Sequence, residues 1–220
     1  GDAEEARQYF DRLSTSEHDV NLPTMVLMES AIFHLEGNPQ GAVDSIDSVL
    51  ENTLPDNVEF RVRLQLARVH RKNLNPDKCK EIIEDLRSEQ PDHPRLLAEE
   101  GLMAENQNDL NKAVEKYRRA REKAQGQFIA YTSARLADLL FKRAQITGSP
   151  GDFEEALQLY RDRPLPSSRN RAINREALCL LHLRRYPECV NLCQKHLEDG
   201  SPNPALKKIL ARVYAYHENY

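Results

Sequence analysis

The chain has no tryptophan, only 6% aromatic residues, and just 8 glycines in 220 positions. Runs of aromatic and β-branched residues are correspondingly scarce, which argues against a sandwich or a barrel. The few glycines form no phosphate-binding loop. There is also no nucleophile elbow and no HExxH pair, so no motif supplies the converging nucleophile, base and stabiliser that catalysis needs. We therefore expect no enzyme activity and no cofactor. No window approaches the ~18 to 20 consecutive apolar residues that span a bilayer, so membrane insertion is not expected either. The start, Gly1-Asp2-Ala3-Glu4-Glu5, is acidic rather than a basic signal-peptide opening. The four cysteines, at 79, 179, 189 and 193, are too unevenly placed for a disulfide framework. Reduced thiols point to the cytoplasm, with the nucleus as the alternative.

What is abundant is Leu, Ala, Glu, Arg, Lys and Gln, all good helix formers. The formal net charge of −4 hides a gradient. Residues 1–60 hold 13 acids and 2 bases, whereas residues 161–220 hold 6 acids and 11 bases. A chain polarised in this way can steer a charged partner to one end or attract its own copies end to end; an uninvolved solvated surface is the plainer reading.

A repeat is visible in the spacing of small and large residues. Ala6 with Phe10, Ala42 with Ile46, Ala113 with Tyr117 and Ala156 with Tyr160 each set a small residue four before a large one. Cys79 with Ile83 and Cys189 with Cys193 continue the series, with cysteine as the small member. The anchors at 6, 42, 79, 113, 156 and 189 lie a period apart that implies one helical hairpin each, with 113 to 156 the long outlier. Ser30, Ala67, Gly101 and Ala177 stand twelve residues before an anchor, where a small residue lets the two helices of a hairpin approach. Pro55, Pro91 and Pro202 fall near the expected helix ends. Asn75-Pro76-Asp77 reads as an N-cap with Pro in the first turn, Asp152-Phe153-Glu154-Glu155 as a capping box, and Tyr186-Pro187 as another helix start.

In period and punctuation the whole chain resembles the tetratricopeptide repeat family, although most of that family's favoured first-helix Trp, Gly and Tyr are replaced and only Gly101 keeps the glycine. A half-repeat RNA-processing array or a Sel1-like array is the competing assignment. The resemblance implies an all-α fold, a right-handed superhelical solenoid of antiparallel hairpins. It would span 1–220 as one solenoid: a partial repeat over 1–20, repeats at 23–57, 58–93, 94–127, 128–168 and 169–202, and a partial repeat over 203–220. The outlier is expected to carry an expanded turn around Thr147-Gly148-Ser149-Pro150-Gly151. In the first partial repeat Ala6, Tyr9, Phe10 and Leu13 share a face; in the last, Leu206, Leu210, Val213 and Tyr214 give no polar cap. We expect the native protein to continue beyond both ends, or the ends to meet another chain.

Cys179, His182, Cys189, Cys193 and His196 form the densest set of potential metal ligands. Cys189 and Cys193 sit at repeat anchors, and free cysteine packs as a small hydrophobe, so core packing is the expectation and zinc the alternative. The histidines share no motif and read as surface or helix-end residues. Glu99-Glu100 and Glu154-Glu155 read as solvated or first-turn charges.

The resemblance also implies that first helices line a concave groove where a partner protein or peptide binds. The inward face is then Leu27, Met28, Ala31 and Leu35 in the first hairpin and Arg61, Gln65, Arg68 and Lys72 in the second. It continues as Arg135, Asp138 and Lys142, then Arg171, Asn174, Arg175 and His182, then Lys208 and Arg212. The groove would begin apolar and become basic, which suits an acidic peptide because guanidinium binds carboxylate in a bidentate fork. The other reading has these bases pairing with neighbouring acids of the same chain. A carboxylate clamp is not expected, since Ala98 and Leu102 replace its Lys and Asn. RNA binding is the rival from another class, disfavoured by the net acidity and by few groove aromatics. A third possibility is the targeting arm of an enzyme whose catalytic domain lies outside this chain.

Overall fold

A computed structural model describes residues 2–14, 22–72, 75–162, 169–198 and 203–217. Among these residues all regular structure is helical. The helices are α1 (Asp2–Ser14), α2 (Leu22–Leu35), α3 (Pro39–Leu50), α4 (Asp56–Lys72), α5 (Pro76–Glu89) and α6 (Pro94–Asn106). They continue as α7 (Leu110–Lys123), α8 (Gln127–Thr147), α9 (Pro150–Asp162), α10 (Arg169–His182), α11 (Tyr186–Glu198) and α12 (Pro204–His217). They form two compact units, residues 1–92 and 93–220. In the first, α2 pairs with α3 and α4 with α5, and α1 packs on α2. In the second the pairs are α6 with α7, α8 with α9 and α10 with α11, and α12 packs on α10 and α11.

The anchors explain the pairing. Ala42, Cys79, Ala113, Ala156 and Cys189 are buried, as are the large partners Ile46, Ile83, Tyr117, Tyr160 and Cys193 four residues on. The small residues Ser30, Ala67 and Ala177 of the first helices are buried as well. At Gly101 the approach is closest: a Cβ there would lie 2.7 Å from the Tyr117 ring, so α6 and α7 can meet only because that side chain is absent. Val26, Ala42, Val43, Ile46, Val62 and Val69 form a core cluster of the first unit. One continuous core runs through the second, from Leu97 to Val213.

Helix starts follow local chemistry. Asn75 caps α5 by accepting from the Lys78 N–H at 3.4 Å, with Pro76 in the first turn, and Asn38 and Asp109 cap α3 and α7 in the same way. Four hairpin turns place a left-handed residue just before the next helix: Gly37, Asn108, Gly148 and Arg184.

Several details differ from the sequence reading. The additional residues of the long repeat lengthen a helix, not a turn: α8 has 21 residues against 13 in α6, and only Gly148 and Ser149 separate it from α9. Gly148 terminates α8 at φ +71° and its N–H reaches the Ala144 carbonyl at 2.8 Å, so the Gly/Pro cluster makes a tight stop. No atom crowds a Cβ at that position. Gly148→Ala should therefore cost only the left-handed conformational penalty, about 1 kcal/mol, measurable by chemical denaturation. The α9 start also shifts. Ser149, not Asp152, is the capping side chain, accepting from the Asp152 N–H at 3.3 Å. Asp152 instead receives a two-pronged contact from Arg143 at 2.6 and 2.7 Å, tying α9 to α8.

Glu99 and Glu100, expected in solvent, are each only 4% exposed. The close α6–α7 approach at Gly101 brings Lys116 to 2.8 Å from Glu100. His70 is likewise buried rather than on the surface, and burial lowers its pKa. On α1, Phe10 is buried but Tyr9 points outward at 57% exposure, since an inward stripe on so short a helix is narrower than the four residues assigned to it. In α12 Leu206 and Val213 are buried while Tyr214 is exposed. Pro202, His18 and the side chains of Leu13, Leu27 and His217 lie outside the described residues.

Candidate functional site

The first helices carry side chains that reach from one repeat to the next. In the first unit, Gln65 of α4 donates to the Ser30 hydroxyl of α2 at 2.6 Å. Beside this bond a cleft of about 230 Å³ opens between α2, α3 and α4. Ala31, Pro39, Ala42 and Val69 give it an apolar lining, while His34, Arg68, Arg71 and Lys72 give it positive potential. Among the described residues no carboxylate lines it. Ala31 and Leu35 continue the apolar strip along exposed α2, Leu35 at 59% exposure, and Met28 is half-buried. The expected change from apolar to basic is thus compressed into one cleft, where Arg68 and Lys72 come together and Arg61, half-buried on the same helix, does not join them.

In the second unit the expected basic wall is largely engaged with the chain itself. Arg135 of α8 pairs with Glu105 of α6 and lies 5.8 Å from the centre of the Tyr117 ring. Arg171 of α10 donates to Asp138 of α8 at 2.6 Å, and the same carboxylate accepts from the Tyr160 hydroxyl at 2.9 Å. Arg175 stacks over Phe141 at 4.5 Å. Asn174 accepts from Asn203 at 2.9 Å. The Arg135–Glu105, Arg171–Asp138 and Arg175–Phe141 contacts link positions about one repeat apart, so these side chains align successive first helices. Lys142, Lys208 and Arg212 are exposed. Of the nine residues singled out from the sequence, Arg135, Arg171, Asn174 and Arg175 are thus among those with intramolecular partners. Sequence spacing had flagged both members of the Arg171–Asp138 pair without showing that they meet. His34 and Arg71 were missed because His34 stands alone on an apolar helix and Arg71 falls between the repeat positions.

The cysteines are core residues: all four are buried, and Cys189 donates its Sγ–H to the Ala177 carbonyl at 3.3 Å. Burial pushes the Cys179 thiol up to about 12. His182 is turned away to stack flat on Phe153, ring centres 4.5 Å apart. Among the described residues no three His, Cys, Asp or Glu side chains gather as a metal site. In the native protein the thiols should therefore resist a water-soluble disulfide reagent, and all four should react once denaturant is added. A rapid native reaction at Cys189 or Cys193 would contradict that packing.

Residues 64–128 match the tetratricopeptide repeat family. That stretch is a tetratricopeptide repeat, and the chain as a whole has the fold of a tetratricopeptide-type helical array. The fold is similar to that of the yeast Tom70 crystal structure, with a TM-score of 0.66 and 18% identity over 96% of this chain and 43% of that one. It is also similar to the Cut9–Hcn1 hetero-tetramer of APC/C, with a TM-score of 0.62 and 19% identity over 96% of this chain and 39% of that one. PilF of Pseudomonas aeruginosa aligns over 99% of this chain and 87% of its own, with a TM-score of 0.59 and 16% identity. The chain thus spans about two-fifths of the length of the first two structures. No curated protein matches its sequence at a significant level. Tetratricopeptide repeats are a protein-interaction scaffold, generally without catalytic activity of their own. Among the described residues no helix of this chain is long and apolar enough to cross a membrane.

Proposed function

We propose that this chain is a non-catalytic protein-binding module that holds an acidic segment of a partner in the cleft between α2, α3 and α4. The observation that carries this reading is the composition of that cleft: four basic or titratable side chains, His34, Arg68, Arg71 and Lys72, beside an apolar floor and, among the described residues, without a lining carboxylate. A segment that sets Asp or Glu next to one or two apolar residues satisfies both halves. The carboxylate is drawn by the guanidinium and ammonium groups, and the apolar residues cover Ala31 and Leu35. Arg135, Arg171 and Arg175 serve as framework, reaching from one helix of the second unit to another. The polarised charge of the sequence supports end-to-end association of copies as an additional mode, weakened by salt.

Selection from a random displayed peptide library against the immobilised protein tests the reading. Enrichment of sequences pairing acids with apolar residues is expected. Enrichment of basic or uncharged sequences, or salt-sensitive retention on heparin with no peptide enrichment, would overturn it, the latter in favour of nucleic acid.

A further inference from the structure

A second cleft, of about 210 Å³, lies in the other unit where the end of α10, the turn into α11 and the last turns of α12 meet. It is lined by Leu181, His182, Arg184, Tyr186, Arg212 and Tyr216. Its composition is unusual for this chain, in which most arginines of the second unit are paired. Arg143, Arg161 and Arg185 each grip a carboxylate, and Arg185 alone holds both Glu188 and Glu154. Arg184, next to it in sequence, turns the other way through its left-handed backbone, and neither it nor Arg212 has an acidic partner among the described residues. Two guanidiniums thus face one cleft that also holds an imidazole and two phenols, and among the described residues no carboxylate lines it.

The imidazole is held in place. His182 lies parallel to Phe153 at 4.5 Å and edge-on to Phe141 at 6.5 Å, so its ring is fixed by α8 and α9 while its edge borders the cleft. Its pKa is lowered, by burial first and by the charge of Arg212 second. The cleft by itself therefore disfavours a further positive charge, which an anion would reverse. Arg175, stacked on Phe141, is the other cation packed near these rings. Two forked donors, an imidazole and phenolic O–H groups match the three terminal oxygens of a phosphomonoester better than the two of a carboxylate. The volume accommodates a phosphoryl group with a small attached group.

We infer that this cleft is a phosphomonoester site, with Arg184 and Arg212 as charge partners, His182 as a third contact, and Tyr186 and Tyr216 closing over the group. It is separate from the acidic-segment cleft of the first unit and does not depend on it. The ligand can be a phosphorylated side chain of a protein partner or a free phosphate compound.

The test is an NMR titration of the histidine ring signals of the whole chain with inorganic phosphate, with sodium chloride at matched ionic strength as control. A saturable shift at His182 and a rise of its pKa are expected, with chloride giving neither. Arg212→Gln and Arg184→Gln, both at exposed positions, should each weaken phosphate about tenfold while leaving the fold intact. A phosphotyrosine peptide that moves His182 at lower concentration than phosphate, while its unphosphorylated form does not, assigns the source to a modified partner. Equal potency of peptide and phosphate assigns it to free phosphate; both results support the site. No shift at His182, a shift matched by chloride, or undiminished binding in both variants overturns it.

Discussion

Gly101→Ala should destabilise the second unit by about 1–3 kcal/mol, and the same substitution should cost nothing when Tyr117 has been replaced by Ala. The added methyl would stand 2.7 Å from one ring atom of Tyr117 and 2.8 Å from the next. That ring is fully buried and cannot swing aside, so the helices must separate or the ring must leave its rotamer. Tyr117→Ala alone removes a large core side chain and should cost about 3–5 kcal/mol. In that background the clash has no second party, and Ala gains over Gly the helix propensity of about 1 kcal/mol. The double-mutant cycle should thus show a strong favourable coupling between the two substitutions, readable from urea unfolding of the four proteins. Additive effects would mean that α6 and α7 do not meet at this pair of positions.

The second large effect concerns binding. Arg68→Glu combined with Lys72→Glu should weaken an acidic–apolar peptide about a hundredfold, because two attractive contacts become repulsive in a partly enclosed cleft. Isothermal titration of the selected peptide checks the loss, and circular dichroism should show the helical content retained. The corresponding reversal at Arg171 and Arg175 should behave differently. A glutamate at 171 would face Asp138 at the position where Arg171 now donates at 2.6 Å, and one at 175 would abandon the Phe141 ring. That pair of substitutions should lower the unfolding midpoint while leaving the cleft of the first unit able to bind.

This contrast shows where sequence was informative. The anchors at 42, 79, 113, 156 and 189 are legible because hairpin packing imposes a periodic demand for small residues, and all five are buried. Gly101 was legible for the same reason. The extension of α8 was misread, since Gly148 and Pro150 mark a tight stop and a helix start as readily as a long turn, and helix length leaves no punctuation of its own. Arg68 and Lys72, four apart on α4, line one cleft, whereas Arg135, Arg171 and Arg175 contact side chains of a neighbouring helix. Spacing within a helix cannot report which acid or ring the adjacent repeat offers, and Glu105, Asp138 and Phe141 are supplied from that adjacent repeat. The burial of Glu99 and Glu100 was hidden for a similar reason: a carboxylate is excluded from solvent by what packs over it, and Lys116 of the next helix compensates at 2.8 Å.

The most direct test of the protein-binding account is a hydrogen-exchange and chemical-shift footprint of the selected acidic peptide on the whole chain. The account predicts shifts at Ala31, His34, Arg68 and Lys72, with slowed exchange along α2 and α4. A footprint on the outward faces of α3 and α5, with those four residues unmoved, would contradict it.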